Sequence, residues 1–286
     1  MRRFIVFSAP VIFGLVLTLS FGCGSKSKPT APMAGEHGGH SDNQSMEEMS
    51  GAELIVSTSP KKPEALEPVE LRLMLHDKSG KMLKDLEVIH EKLAHLIIVR
   101  EGLDKFAHIH PKVHPDGNIT IKHTFPIAGT YHLYLDYQAK GMSPATGQQT
   151  LVIAGDAAAA PALKVTAPGD VIADGLLTKV SVEASKKSAV LRFDLRNMDG
   201  TPVNDLEPYL GAMGHLVVIS NDAKEYVHAH PLPTESGASQ VSFEAHFPGP
   251  GIYKAWGQFK RAGTVVTVPA VIDYQDSTEA HSTKGH

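Results

Sequence analysis

Residues 95–111 read HLIIVREGLDKFAHIHP, and residues 215–231 read HLVVISNDAKEYVHAHP. The two stretches share one pattern at an offset of 120 residues. A run of β-branched and leucine residues follows a histidine, a short polar loop intervenes, and an aromatic residue leads into His-x-His-Pro. Runs of this length and composition read as strands, and the loop between them has hairpin length.

The correspondence extends outward from these stretches. Leu71-Arg72-Leu73 aligns with Leu191-Arg192-Phe193, Gly80 with Gly200, and Asp85-Leu86-Glu87 with Asp205-Leu206-Glu207. After a small length change near Pro115 and Pro233 the offset becomes 122. Phe125-Pro126-x-x-Gly129-x-Tyr131 then aligns with Phe247-Pro248-x-x-Gly251-x-Tyr253. The register holds through Tyr137/Phe259 and Gly141/Gly263, which makes the chain a tandem duplication.

Each copy carries short strand candidates separated by Gly, Pro, Asp and Asn. In the first they are Val69–His76, His95–Arg100, Asn118–Phe125, Thr130–Tyr137 and Gln149–Ile153. The second repeats them at Ala189–Leu195, His215–Ser220, Gln240–Phe247, Ile252–Phe259 and Thr264–Asp273. The expected fold class is all-β, with two tandem sandwiches of immunoglobulin-like or cupredoxin-like type. In the Phe-Pro-x-x-Gly-x-Tyr segment the proline and glycine turn the chain. The tyrosine then enters the next strand, where its ring can pack and its hydroxyl can bond backbone.

The N-terminus has the marks of an export signal. Arg2 and Arg3 precede a largely apolar run from Phe4 to Leu19, and Cys23, the single cysteine of the chain, sits at the expected cleavage point. Residues 1–22 are therefore expected to be a signal peptide and Cys23 a lipidation site, although the leucine usual three places before it is Ser20. A plain secretory signal is the alternative. Residues 23–50 read as a flexible tether rich in Pro, Gly, Ser and charge. Residues 51–154 and 165–274 form the two repeats, residues 155–164 an Ala/Pro linker, and residues 275–286 a polar tail. The expected location is extracytoplasmic, on a membrane through the lipid.

Composition excludes some partners. The formal net charge of −4 and the absence of a basic cluster give no footprint for nucleic acid. With one cysteine, disulfides cannot hold the fold. The unusual feature is 16 histidines.

Six of these recur as His-x12-His-x-His: His95, His108 and His110, then His215, His228 and His230. Alternate side chains of a strand share a face, so the two histidines of each His-x-His project together at about 6.5–7 Å rise. A histidine opening the paired strand would add a third imidazole. Three imidazoles suit Cu(II), Zn(II) or Ni(II). Glu87 and Glu207, eight residues before the first histidine of each set, read as outer-sphere acceptors for an imidazole N–H or as surface residues ahead of a fourth ligand. The bland reading is a histidine cluster that maintains strand pairing. The same three positions persist while neighbours such as Glu91/Gly211 and Arg100/Ser220 have diverged, which weighs toward a metal. His76, His90, His114, His123 and His132 lack counterparts and His246 follows another register, so they read as ordinary exposed residues. In the tether, Met33, His37, His40, Met46 and Met49 form a sparse thioether and imidazole tract suited to Cu(I), or a solvated linker.

No phosphate-binding loop, Gly-x-Ser-x-Gly elbow or His-Glu-x-x-His helix occurs, so a binder is expected rather than an enzyme. The pattern His-Leu-Ile-Ile-Val…Phe-x-His-x-His-Pro…Phe-Pro-x-x-Gly-x-Tyr resembles bacterial secreted or lipid-anchored β-sandwich proteins grouped with heavy-metal and copper handling, in particular immunoglobulin-like domains of the YtkA-like kind. The resemblance covers about residues 65–154 and 185–273 and implies copper as the ion. The expected work is sequestration of the metal or its delivery to a membrane protein partner. The competing expectations are a structural or protein-interaction module, and a metalloenzyme with an open three-histidine site.

Overall fold

The computed structural model describes residues 52–166 and 170–276. In the first repeat the strands are β1 (Glu53–Ser59), β2 (Pro68–His76), β3 (Ala94–Arg100), β4 (Phe106–Ile109), β5 (Lys112–Val113), β6 (Ile119–Thr124), β7 (Gly129–Tyr137) and β8 (Ala145–Ile153). The second contains β9 (Asp170–Ala173), β10 (Leu176–Ser185), β11 (Ser188–Asn197), β12 (Leu206–Glu207), β13 (His215–Ser220), β14 (Tyr226–Val227), β15 (Ala229–Pro231), β16 (Gln240–His246), β17 (Gly251–Arg261) and β18 (Thr264–Tyr274). No helix occurs among the described residues. The expected strands are present, most of them slightly longer than expected. Strands β1, β5, β9, β10 and β12 are additional to those expected.

Each repeat is a two-sheet antiparallel sandwich. The first pairs β1-β2-β6-β5 against β4-β3-β7-β8. This division is the strand arrangement of an immunoglobulin-like domain. The second repeat sets β15-β16-β11-β10-β9 against a sheet in which β17 lies between β13 and β18, with β14 on the outer edge of β13. Strand β2 shows the alternation that one buried face demands: Val69, Leu71, Leu73 and Leu75 point inward and are fully buried. In both copies the expected tyrosine bond forms. Tyr131 donates its hydroxyl to the Ile127 carbonyl at 2.7 Å, and Tyr253 to that of Gly249 at 2.8 Å. These are the tyrosine corners of immunoglobulin-like folds.

Strands β3 and β13 do not alternate, because both their faces are covered. Every residue of β3 is buried. Leu96 and Ile98 enter the core of the first sandwich, and Leu216 and Val218 that of the second. The intervening Ile97 and Val99 meet Val217, Ile219, Leu103 and Trp256 in a third core between the repeats. The sheet β4-β3-β7-β8 and the sheet that holds β13 and β17 are therefore packed together. Full burial of each such aliphatic side chain stabilises this junction by ~1.5–3 kcal/mol.

The junction follows an approximate two-fold relation. Phe106 stacks on Trp256 at 4.6 Å between ring centroids, and their counterparts Tyr226 and Tyr134 stack at 5.4 Å. Tyr226 donates to Asp136 at 2.6 Å, and Lys254 donates to the Leu103 carbonyl at 2.7 Å. Arg100 makes a two-pronged pair with Asp104 and also donates to the carbonyls of Ala128 and Ala158, which docks the linker onto the first repeat.

Candidate metal centre

The hairpin of β3 and β4 brings the first three histidines together. Ile97 lies opposite His108, and Leu96 opposite Ile109. This register sets His108 beside His95, while Ala107 and Ile109 face the core. The ligand nitrogens of His95, His108 and His110 all lie within 4.8 Å of one another, the one such group found among the described residues. His95 Nδ1 and His108 Nε2 are 3.1 Å apart. Two nitrogens bound to one ion at 2.0–2.1 Å would sit about 3–3.4 Å apart.

Outer contacts fix the ring orientations. His95 Nε2 lies 2.9 Å from the Ile89 carbonyl oxygen. His108 Nδ1 lies 2.6 Å from Oε1 of Gln258, which β17 of the second repeat supplies across the junction. The Ile89 carbonyl accepts, which puts an N–H on His95 Nε2; with Gln258 Oε1 turned toward it, His108 Nδ1 carries the other. In that amide orientation the facing nitrogens both carry lone pairs. His110 Nε2 is buried with no hydrogen-bond partner. Burial lowers the pKa of His95, takes that of His108 down to about 3 and takes that of His110 to about 4. The cluster is uncharged at neutral pH and rich in unshared electron pairs.

The second set of histidines is not gathered in the same way. His215 joins the first set instead, its ring 4.9 Å from that of His108 and parallel to that of His95 at 6.1 Å. Burial drives its pKa well below the usual value, and the neighbouring histidines push in the same direction. His228 lies against Tyr226 at 5.5 Å, and exposed His230 is 6.4 Å from His246. The cause is local. Strand β14 ends at Val227, and by Ala229 the chain already pairs with Ala245 on the opposite sheet. In the first repeat Ile109 packs a branched side chain beneath β4 and keeps it on β3 for longer; Ala229 offers only a methyl group there. The expectation of one three-histidine site in each repeat is thus corrected to a single cluster at the junction.

Two further expectations change. Glu87 accepts from Gln138 and the Gly141 N–H, and Glu207 from Lys260 and the Gly263 N–H. Their carboxylates tie down equivalent hairpins and do not hold an imidazole. His90, expected to be an ordinary exposed residue, borders the cluster at 6.0 Å from His95 and 5.7 Å from His215. Gln258 was missed, although a lone glutamine in the apolar run of β17 was a signal. Cys23, Met33, His37, His40, Met46 and Met49 lie outside the described residues.

A cleft of about 590 Å³ opens beside the cluster. His108, His110 and Phe106 line one side, and Tyr209, Lys260 and Thr267 the other. It gives small solutes a route to the nitrogens.

Fold and site together define a tandem immunoglobulin-like β-sandwich protein with an imidazole cluster where its repeats meet. The chain belongs to the family described as Domain of unknown function (DUF8832), which matches residues 48–152 and again 173–276. No curated protein matches. Among solved structures it is similar to the Lin-41 filamin domain, at 19% identity over 37% of this chain and 96% of that one, with a TM-score of 0.24. It is also similar to the Escherichia coli adhesin FdeC, at 16% identity over 78% and 64%, with a TM-score of 0.26. Invasin, a bacterial integrin-binding protein, matches at 10% identity over 78% and 39%, with a TM-score of 0.25.

Proposed function

We propose that the chain is an extracytoplasmic, lipid-anchored protein that binds one transition-metal ion at His95, His108 and His110, for sequestration or delivery to a membrane partner. One observation carries the metal: three imidazole nitrogens converge within 4.8 Å of one another in a partly buried place, two of them 3.1 Å apart. Burial keeps these imidazoles neutral and disfavours a proton as the bridging cation. A shared ion would engage the facing nitrogens and give the unpartnered His110 nitrogen a bond. Three neutral imidazoles suit Cu(II), Zn(II) or Ni(II). The resemblance of the His-x-His-Pro and Phe-Pro-x-x-Gly-x-Tyr pattern to copper-handling proteins favours copper among them. The export signal and Cys23 support the location.

The test is calorimetric titration of Cu(II) and Zn(II) into the mature chain. One tight equivalent is expected, lost in the His95→Ala/His108→Ala/His110→Ala chain and kept in His228→Ala/His230→Ala. A stoichiometry indifferent to the first triple replacement defeats the reading. Membrane partition of a Cys23→Ala chain tests the anchor separately.

A second reading, a structural or interaction module, has its own support. His95 bonds the Ile89 carbonyl, and His108 ties the repeats through Gln258. Under that reading the same replacements lower stability in metal-free buffer while no ion is taken up.

A further inference from the structure

Gln258 touches His108 from the second repeat, and its own environment allows either orientation of its amide. The residue is buried, with Oε1 at 2.6 Å from His108 Nδ1 and Nε2 at 3.5 Å from the Thr267 hydroxyl. A hydroxyl can accept or donate, so Thr267 can serve the amide nitrogen or the amide oxygen equally. In the observed orientation His108 carries its hydrogen on Nδ1 and presents a bare Nε2 to His95.

The reversed orientation produces a different chain of bonds. The Gln258 NH2 would donate to His108 Nδ1, the hydrogen of His108 would sit on Nε2, and that N–H would donate to His95 Nδ1. His95 Nε2–H already reaches the Ile89 carbonyl. Every donor in that chain has an acceptor, and no cation is needed. The two arrangements differ by one amide rotation and by which nitrogen of His108 bears its hydrogen. Charge and proton count are the same in both.

We propose that Gln258 is a positioning residue supplied by the second repeat, whose amide rotation switches His108 between a closed hydrogen-bonded state and a metal-accepting state. The inference rests on the metal-binding reading. It explains why the position carries an amide: a carboxylate can only accept, and would hold His108 permanently in the metal-accepting state. Its counterpart in the first repeat, Asp136, does only that, accepting from Tyr226 and Thr146 at 2.6 Å each. An amide that serves both states keeps the ion exchangeable, as delivery requires.

The experiment uses the full mature chain with zinc, a diamagnetic ion, in two measurements. Long-range proton–nitrogen correlation spectra of labelled protein report which ring nitrogen of His108 bears the hydrogen. The expected result is Nε2–H without zinc and Nδ1–H with it; the same tautomer in both states overturns the proposal. Chelator competition then compares Gln258→Glu and Gln258→Leu with the parent. Outer-sphere partners typically change affinity 10–100-fold. Gln258→Glu is expected to bind at least tenfold tighter and release more slowly, and Gln258→Leu to bind at least tenfold more weakly. Glutamate matches glutamine in shape, so an affinity for Gln258→Glu within twofold of the parent overturns the proposal even if the leucine chain folds poorly. A parent chain that takes up no zinc or copper refutes the metal reading itself, and does so before any Gln258 variant is made.

Discussion

Acidification should unfasten the junction before it damages the sandwiches, and the size of the effect can be worked from the histidines. His108 and His110 titrate near about 3 and about 4 in the folded chain, against about 6.5 when unfolded. A depressed folded pKa means that the unfolded state takes up protons first. The stability is therefore complete above about pH 6.5 and declines as the pH falls toward the folded values. At about pH 4.5 the linkage for His108 amounts to ~2.7 kcal/mol. His110 is partly exposed and adds ~1 kcal/mol after solvent screening. His95 and His215 shift in the same direction and enlarge the effect. A loss of ~4 kcal/mol is large beside the 5–15 kcal/mol of an ordinary domain. In urea it would lower the midpoint by about 1.5 M for a slope near 2.5 kcal/mol/M. Trp256, the single tryptophan of the chain, lies buried in the junction against Phe106 and reports the transition by fluorescence. Carboxylates also titrate in this range, so the decisive comparison is with a His108→Gln/His110→Gln chain, whose midpoint should move less than half as far over the same pH step. Equal shifts in the two chains refute the reasoning.

Three further outcomes are expected. Arg100→Ala leaves Asp104 without its buried partner and frees the linker at Ala158; thermal melts should show a loss of about 3 kcal/mol, with faster proteolysis in the linker. Tyr131→Phe and Tyr253→Phe each delete one corner bond and should cost about 1 kcal/mol in denaturant titrations. Gly257→Ala places a methyl 2.7 Å from the ring of Phe193; overpacking of about 1–3 kcal/mol should follow, whereas Gly249→Ala, with open space around it, should be near neutral in the same melts.

Much of this arrangement was legible in the residues. The duplication, the Phe-Pro-x-x-Gly-x-Tyr corners and the hairpin that gathers His95, His108 and His110 all follow from local pattern and strand periodicity. The junction does not, because its signal was distributed. The unbroken apolar runs of β3 and β13 announced strands covered on both faces, but not that each would cover the other. Hence His215, opposite Gln258 in the β13–β17 pairing, was assigned to its own repeat when packing places it beside His108. The divergence of the second site turned on a smaller matter still. Ala229 in place of Ile109 looks conservative in a sequence, yet the chain there leaves β13 two residues sooner and carries His228 and His230 away. Glu87 and Glu207 kept their spacing for the sake of hairpins, a reminder that matched positions in a duplication can conserve a turn as readily as a ligand.

The approximate two-fold at the junction carries a consequence for how such a chain could arise. A surface that packs against its own copy about a two-fold axis is self-complementary, so one module bearing it would form a homodimer. Joining two modules in a single polypeptide makes that dimer permanent and frees it from concentration. It also releases the halves from identity: one can keep a cluster of three imidazoles, while the other supplies the residue that orients one of them. Division of labour between equals is what fusion makes available, and Gln258 and Asp136, equivalent positions with different partners, differ in just this way.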